Sequence, residues 1–235
     1  MPRNALEKAL KAIDWNLSVA SFLKNDSAME HIDAACVRIA IWSKQLESID
    51  KGNAALSFVR EMQVSAHDVV AVAGVSLYKA AAGSIRGMVE SALYYTYFRT
   101  HLSELATLVR DSEYYVSRAE VLSYHKAHTP GFRQLQEKLG FMARLNAWYG
   151  NVSAIVHGQI PGIWTTHKAL SDIRYSPKTL ELLVADFCRG EQLVHELFLL
   201  TIGREMWDSI STGAKRALLT GMSAEERALL GLDQR

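Results

Sequence analysis

Two short stretches of the chain hold residue types that can bind or move charge. In Ser84-Ile85-Arg86-Gly87-Met88-Val89-Glu90, the arginine and glutamate stand four residues apart. If the stretch is helical they share one face and reach each other. Most of their neighbours are apolar or small, which places the pair inside a bundle or at the mouth of a cleft. A buried charge is costly unless it is paired, so one reading is a structural ion pair. The other has Arg86 contacting an anion or phosphate while Glu90 holds its guanidinium in place. In Trp148-Tyr149-Gly150-Asn151-Val152-Ser153-Ala154-Ile155-Val156-His157-Gly158, the side chains of Tyr149, Ser153 and His157 repeat every four residues and form one stripe. Asn151 leaves the helix on another side but can reach round at the level of His157. A histidine in a last helical turn before glycine suits the helix dipole and can bond terminal carbonyls. Histidine is also the side chain whose ordinary titration lies nearest neutrality, which suits general acid–base work.

These residues need a helical frame, and composition supports one. The 235 residues include 49% hydrophobic and 22% charged residues, a globular make-up long enough for a sizeable core. Only four prolines and fourteen glycines argue against an all-β chain with many tight turns. Twenty-six Lys and Arg against twenty-five Asp and Glu leave a net charge of +1, which excludes a strongly basic or acidic chain as a whole. A polyanion would have to bind a local patch. Cys36 and Cys188 are too few for a disulfide framework and are expected to act as small buried hydrophobes. The start turns amphipathic at once, with no leader-like apolar region. The most apolar stretch, Val69 to Val75, is far shorter than the ~20 residues of a membrane span. A cytoplasmic protein with no membrane association is expected.

Helical periodicity runs through almost the whole chain. Leu6, Leu10, Ile13, Leu17, Ala20 and Leu23 recur at three- and four-residue steps, which predicts a helix with all of them on one face. Ser27 with Glu30 predicts a capping box opening a second helix. Ala54 to Gln63 reads as a short helix, and Ser65 with Asp68 as the start of a long central one running to about Arg99. Ser103 is expected to cap a helix to Arg110, and Ser117 with Glu120 one to His128. Phe132 to Leu139 and Phe141 to His157 read as two helices, or as one bent at Gly140. Gly158 to Gly162 is a stop, and Ser176-Pro177 starts the last long helix. Ser223 with Glu226 caps a short terminal one. The expected architecture is all-α: a bundle of four or five long helices with short peripheral ones. Residues 1–203 would form the bundle and 204–235 a small helical appendage of the same domain.

Together the Arg86–Glu90 segment and the Tyr149–Ser153–His157–Gly158 segment resemble the HEPN superfamily, all-helical domains of prokaryotic toxin–antitoxin and phage-defence systems. The resemblance covers roughly residues 70 to 200. It implies a metal-independent endoribonuclease with no cofactor, acting on RNA as a homodimer whose histidine-bearing helices face one another, with an antitoxin or other protein as partner. On this reading His157 is the acid or base and Arg86 stabilises charge on the phosphate. Ser153 and Asn151 join them, and Glu90, Tyr149 and Tyr94 give support. The chain departs from the family at the arginine that active members carry a few residues before the histidine. Asn151 occupies that window, and Arg144 is too far upstream. The second expectation is therefore a non-catalytic helical interaction or nucleic-acid-binding module with a degenerate site.

Other candidates point to structure. His125 and His128 lack a third ligand at helical spacing and are expected to be surface or capping residues rather than a metal site. His195, four residues after Glu191, is expected to form a helix-surface pair. Tyr94, Tyr95, Tyr97 and Phe98 are expected in a core or interface, with base stacking as the alternative. Arg99, Arg110, Arg118, Arg144 and Arg174 make a basic groove only if folding gathers them.

Overall fold

The computed structural model describes residues 3–232, apart from 161, 163 and 166. Pro161 of the expected stop and residues 233–235 of the expected appendage lie outside the described residues. The chain is all-helical, with no strand among the described residues. Its helices are α1 (Arg3–Lys11), α2 (Trp15–Leu23), α3 (Asp26–Ile49), α4 (Leu56–Gly74), α5 (Tyr78–Phe98), α6 (Leu102–Arg110), α7 (Arg118–His128), α8 (Phe132–Leu139), α9 (Phe141–Val156), α10 (Pro177–Phe198), α11 (Arg204–Met206), α12 (Thr212–Leu218) and α13 (Ala224–Leu230). A π-helical turn, Leu199–Gly203, continues α10.

α5 is the central element, packed against α4, α9 and α10. Its Ala81, Ala82, Ile85, Met88, Val89 and Ala92 are buried almost completely. The small residues let neighbouring helices approach closely, and the larger ones fill the space between them. Arg86, Glu90 and Tyr94 lie on its half-exposed side, and Lys79, Ala80 and Gly83 near its start are exposed. Gly190 lets α10 seat against α9: a Cβ there would stand 2.7 Å from the Trp148 ring. The Trp148 indole N–H donates to the Asp186 carbonyl at 2.9 Å and ties the two helices together.

Several local signals act as the sequence implies. Ser117 with Glu120 and Ser223 with Glu226 form capping boxes. Ser176 caps α10 with Pro177 in its first turn. Gly140, in the left-handed region at φ 63°, separates α8 from α9.

Others are corrected. The expected long helix to Arg99 is a helical hairpin. Residues 65–74 continue the helix begun at Leu56, the chain turns at Ser76 (φ 63°), and α5 starts afresh. The first expected helix is broken between Lys11 and Trp15, where Asp14 accepts from the Leu17 N–H. Of its apolar stripe, Ile13 is buried while Leu6, Leu10, Leu17 and Leu23 are exposed. Asn25, not Ser27, caps α3, accepting from the Ala28 N–H. His101 precedes α6 and no side chain caps it, so Ser103 does not. After residue 203, Trp207, Ile210, Leu218 and Leu230 belong to the same apolar core as the bundle, and α12 packs on α3.

Candidate functional site

The two chemistry-bearing stripes face each other. α5 presents Arg86 and Glu90, and α9 presents His157 at its C-cap and Tyr149 two turns earlier. Arg86 meets His157 while Glu90 meets Tyr149, so the helices run antiparallel at the contact. Arg86 Nη1 lies 3.2 Å from His157 Nε2. A guanidinium has only N–H donors, so the imidazole nitrogen accepts and carries a lone pair there. Arg86 Nε donates to Glu90 Oε1 at 2.9 Å, and the Tyr149 hydroxyl donates to the same oxygen at 2.5 Å. The guanidinium carbon of Arg86 also stands 5.0 Å from the Tyr149 ring centre.

The cluster is open to solvent. His157 is exposed, and the Arg86 and Glu90 side chains retain 25% and 36% of their accessible surface. Burial works against the charge on Arg86, but the Glu90 carboxylate outweighs it and holds the guanidinium's pKa above its ordinary value. Burial, then the Glu90 carboxylate, pushes the Tyr149 hydroxyl upward, so it stays a donor. Tyr94 is raised by burial and then by Glu90 and Glu120. Its ring packs edge-on against Phe58 and Phe98 and so supports α5 from the apolar side. Ser153 lies midway along the α9 stripe, with its hydroxyl buried and without a hydrogen-bond partner.

Asn151 is a correction. Its amide donates to Asp186 Oδ2 on α10 at 3.2 Å, and it lines a separate groove with Arg144, Trp148 and Arg189. Two residues before Ser153, it lies ~200° round the helix from that stripe, so it cannot join His157. Burial raises the Asp186 pKa, with Arg189 and Asn151 opposing.

Arg118 is a member that no local signal marks. From the start of α7 it also lies over the Tyr149 ring, with its guanidinium carbon 4.1 Å from the ring centre, and donates to Asn146 Oδ1 at 2.9 Å. The fold does not gather the remaining arginines here. Arg99 pairs with Glu205 and Asp50, and Arg144 with Glu196.

His125, expected as a surface or capping residue, and His195, expected in a helix-surface pair, are both buried. His125 is 2% exposed. Thr96 Oγ1 gives its own proton to the Leu93 carbonyl, so it accepts from His125 Nε2 at 2.9 Å, and the Thr129 hydroxyl donates to Nδ1 at 2.8 Å. His195 is covered by Trp42 of α3, whose indole N–H donates to His195 Nδ1 at 3.0 Å. Its presumed partner Glu191 is instead gripped through both oxygens by Arg38. Cys36 and Cys188 are half-buried free thiols, and burial pushes Cys36 up to about 11. Among the described residues, no group of three or more His, Cys, Asp or Glu is placed to hold a metal. No helix among the described residues is long and apolar enough to cross a membrane. No family model, curated protein or solved structure matches the chain.

Proposed function

We propose that the protein is an HEPN-like, RNA-directed effector of a toxin–antitoxin or phage-defence system, a metal-independent endoribonuclease working in the cytoplasm as a homodimer. One observation carries the reading: an exposed imidazole and a half-exposed guanidinium from different helices lie 3.2 Å apart. An ion cluster built only to lock a core would be sealed from water. Open to solvent, it contributes little to stability, so stability does not explain why it is assembled.

The chemistry follows from the atoms. An incoming phosphodiester draws the Arg86 guanidinium onto a non-bridging oxygen, and this frees His157 Nε2. That nitrogen takes the proton of the ribose 2′-hydroxyl as the 2′-oxygen bonds to phosphorus. Arg86 neutralises the growing charge on the phosphoryl oxygens. The bond from phosphorus to the 5′-oxygen breaks, and the leaving oxygen takes the proton back from His157. The products are a 2′,3′-cyclic phosphate and a 5′-hydroxyl. Glu90 and Tyr149 act as positioning residues that fix the guanidinium.

The second reading is a nucleic-acid-binding module without catalysis. It is favoured by the direction of Asn151, because the residue in the window where active members carry their arginine then faces Asp186 rather than His157, and the guanidinium must come from α5. Incubation with total RNA and transfer RNA in chelator, beside His157→Ala, separates the two. Fragments with cyclic phosphate ends from the wild type alone support the nuclease. Binding without cleavage by either protein supports the module. Sedimentation at micromolar protein tests the dimer.

A further inference from the structure

Ser76, Leu77 and the first turn of α5 wall a second cleft of about 510 Å³, lined also by Trp164, Thr165 and His167. Three features there concern charge. α5 is a 21-residue helix whose N-cap, Leu77, provides no side-chain hydrogen bond. The Ala80 N–H donates to the Leu77 carbonyl at 3.0 Å, which leaves the Tyr78 and Lys79 N–H groups at the positive end of the dipole without a side-chain cap. Ser76 is 1% exposed, and its hydroxyl has no hydrogen-bond partner. His167 Nδ1 is likewise buried and unpartnered. Buried polar atoms in a native fold are nearly always satisfied, so two orphans in the walls of one cleft point to a polar occupant. Its sign follows from the lining, which includes Lys79 and no carboxylate. Among the described residues Lys79 forms no ion pair.

The cleft adjoins the Arg86–His157 cluster. A Cβ built on Gly158, the residue after His157, would lie 3.5 Å from Lys79 Nζ. Lys79 and Arg86 are seven residues apart on α5, close to two turns, so they share a face ~10 Å apart along the axis. Gly83 stands between them on that face, with nothing within 4 Å of a built Cβ. A strand can lie along this part of the helix unobstructed.

We propose that this cleft is a phosphate subsite, which holds a phosphodiester of an RNA strand neighbouring the one at Arg86. Lys79, the Ser76 hydroxyl and the α5 N-terminus are its donors. The inference rests on the RNA reading above for the identity of the strand, though not for the anion itself.

The test is titration calorimetry on a His157→Ala background, which leaves RNA uncut. Probes are a diribonucleotide, single-stranded oligoribonucleotides lengthened stepwise, and inorganic pyrophosphate. Lengthening the strand should raise affinity about tenfold once the second phosphate is reached. Lys79→Gln and Ser76→Gly should abolish that gain. Glycine suits the left-handed backbone at Ser76, so the second variant keeps the turn. Lys79→Gln should also lower the slope of log affinity against log salt by about 0.7. If both variants retain the gain and the slope, the subsite is wrong and the RNA reading survives. If no oligonucleotide binds but pyrophosphate does, and Lys79→Gln abolishes it, the subsite stands and the RNA reading falls. Binding of neither probe overturns both.

Discussion

One oxygen of Glu90 accepts two hydrogen bonds, from Arg86 Nε at 2.9 Å and from the Tyr149 hydroxyl at 2.5 Å. That shared acceptor couples α5 to α9 and fixes the plane of the guanidinium next to His157. Removing it frees the arginine without removing its charge. Glu90→Ala is therefore expected to lower the RNA cleavage rate about 100-fold through misplacement. Stability should change by less than ~1 kcal/mol, because the ion pair is partly exposed and screened. Single-turnover kinetics with a urea titration read both quantities, and an unchanged rate would remove Glu90 from the positioning role.

His157→Ala should abolish detectable cleavage, since general acid–base groups contribute about 100- to 10,000-fold. The histidine is exposed, so the loss of stability should stay within ~0.5 kcal/mol, as for other surface substitutions. A large drop in Tm for this variant, with no cleavage by the wild type, would mark the histidine as a structural cap of α9.

His125 and His195 make the fold sensitive to acid. Burial lowers His125 to about 4, helped by nearby His101, and lowers His195 to about 3, helped by Arg38. In the unfolded chain each returns to ~6.5 and binds a proton that the folded chain refuses. The contribution is therefore complete above about pH 6.5 and is lost as pH falls toward the depressed values. Denaturant midpoints at stepped pH should show wild-type stability falling with acid. His125→Gln should flatten the slope by roughly 1 kcal/mol per pH unit. Equal slopes in the two proteins would mean that His125 does not refuse the proton.

Gly190→Ala should destabilise the protein by about 1–3 kcal/mol, because the added Cβ meets the buried Trp148 ring at 2.7 Å and the rigid indole must move. Gly150→Ala, also within a helix, meets nothing within 4 Å and should be neutral or stabilising by up to ~1 kcal/mol. Thermal melts of the two variants compare them directly. A neutral Gly190→Ala would show that α9 and α10 have room to part.

The helical character, the capping boxes at Ser117 and Ser223 and the start of α10 at Ser176-Pro177 were legible in the chain itself. Each depends on interactions within about one helical turn, such as a side-chain oxygen reaching an N–H three residues on. The stripes Arg86–Glu90 and Tyr149–Ser153–His157 were legible for the same reason. Their meeting was not, because 71 residues separate Arg86 from His157, and only the antiparallel packing of α5 on α9 joins them. Packing likewise turned Asn151 toward Asp186, brought Arg118 onto Tyr149 and sealed His195 under Trp42. It also left Leu6, Leu10, Leu17 and Leu23 facing water while Phe22 of the same helices entered the core. Periodicity tells which residues share a face, but the neighbouring helices decide what that face meets.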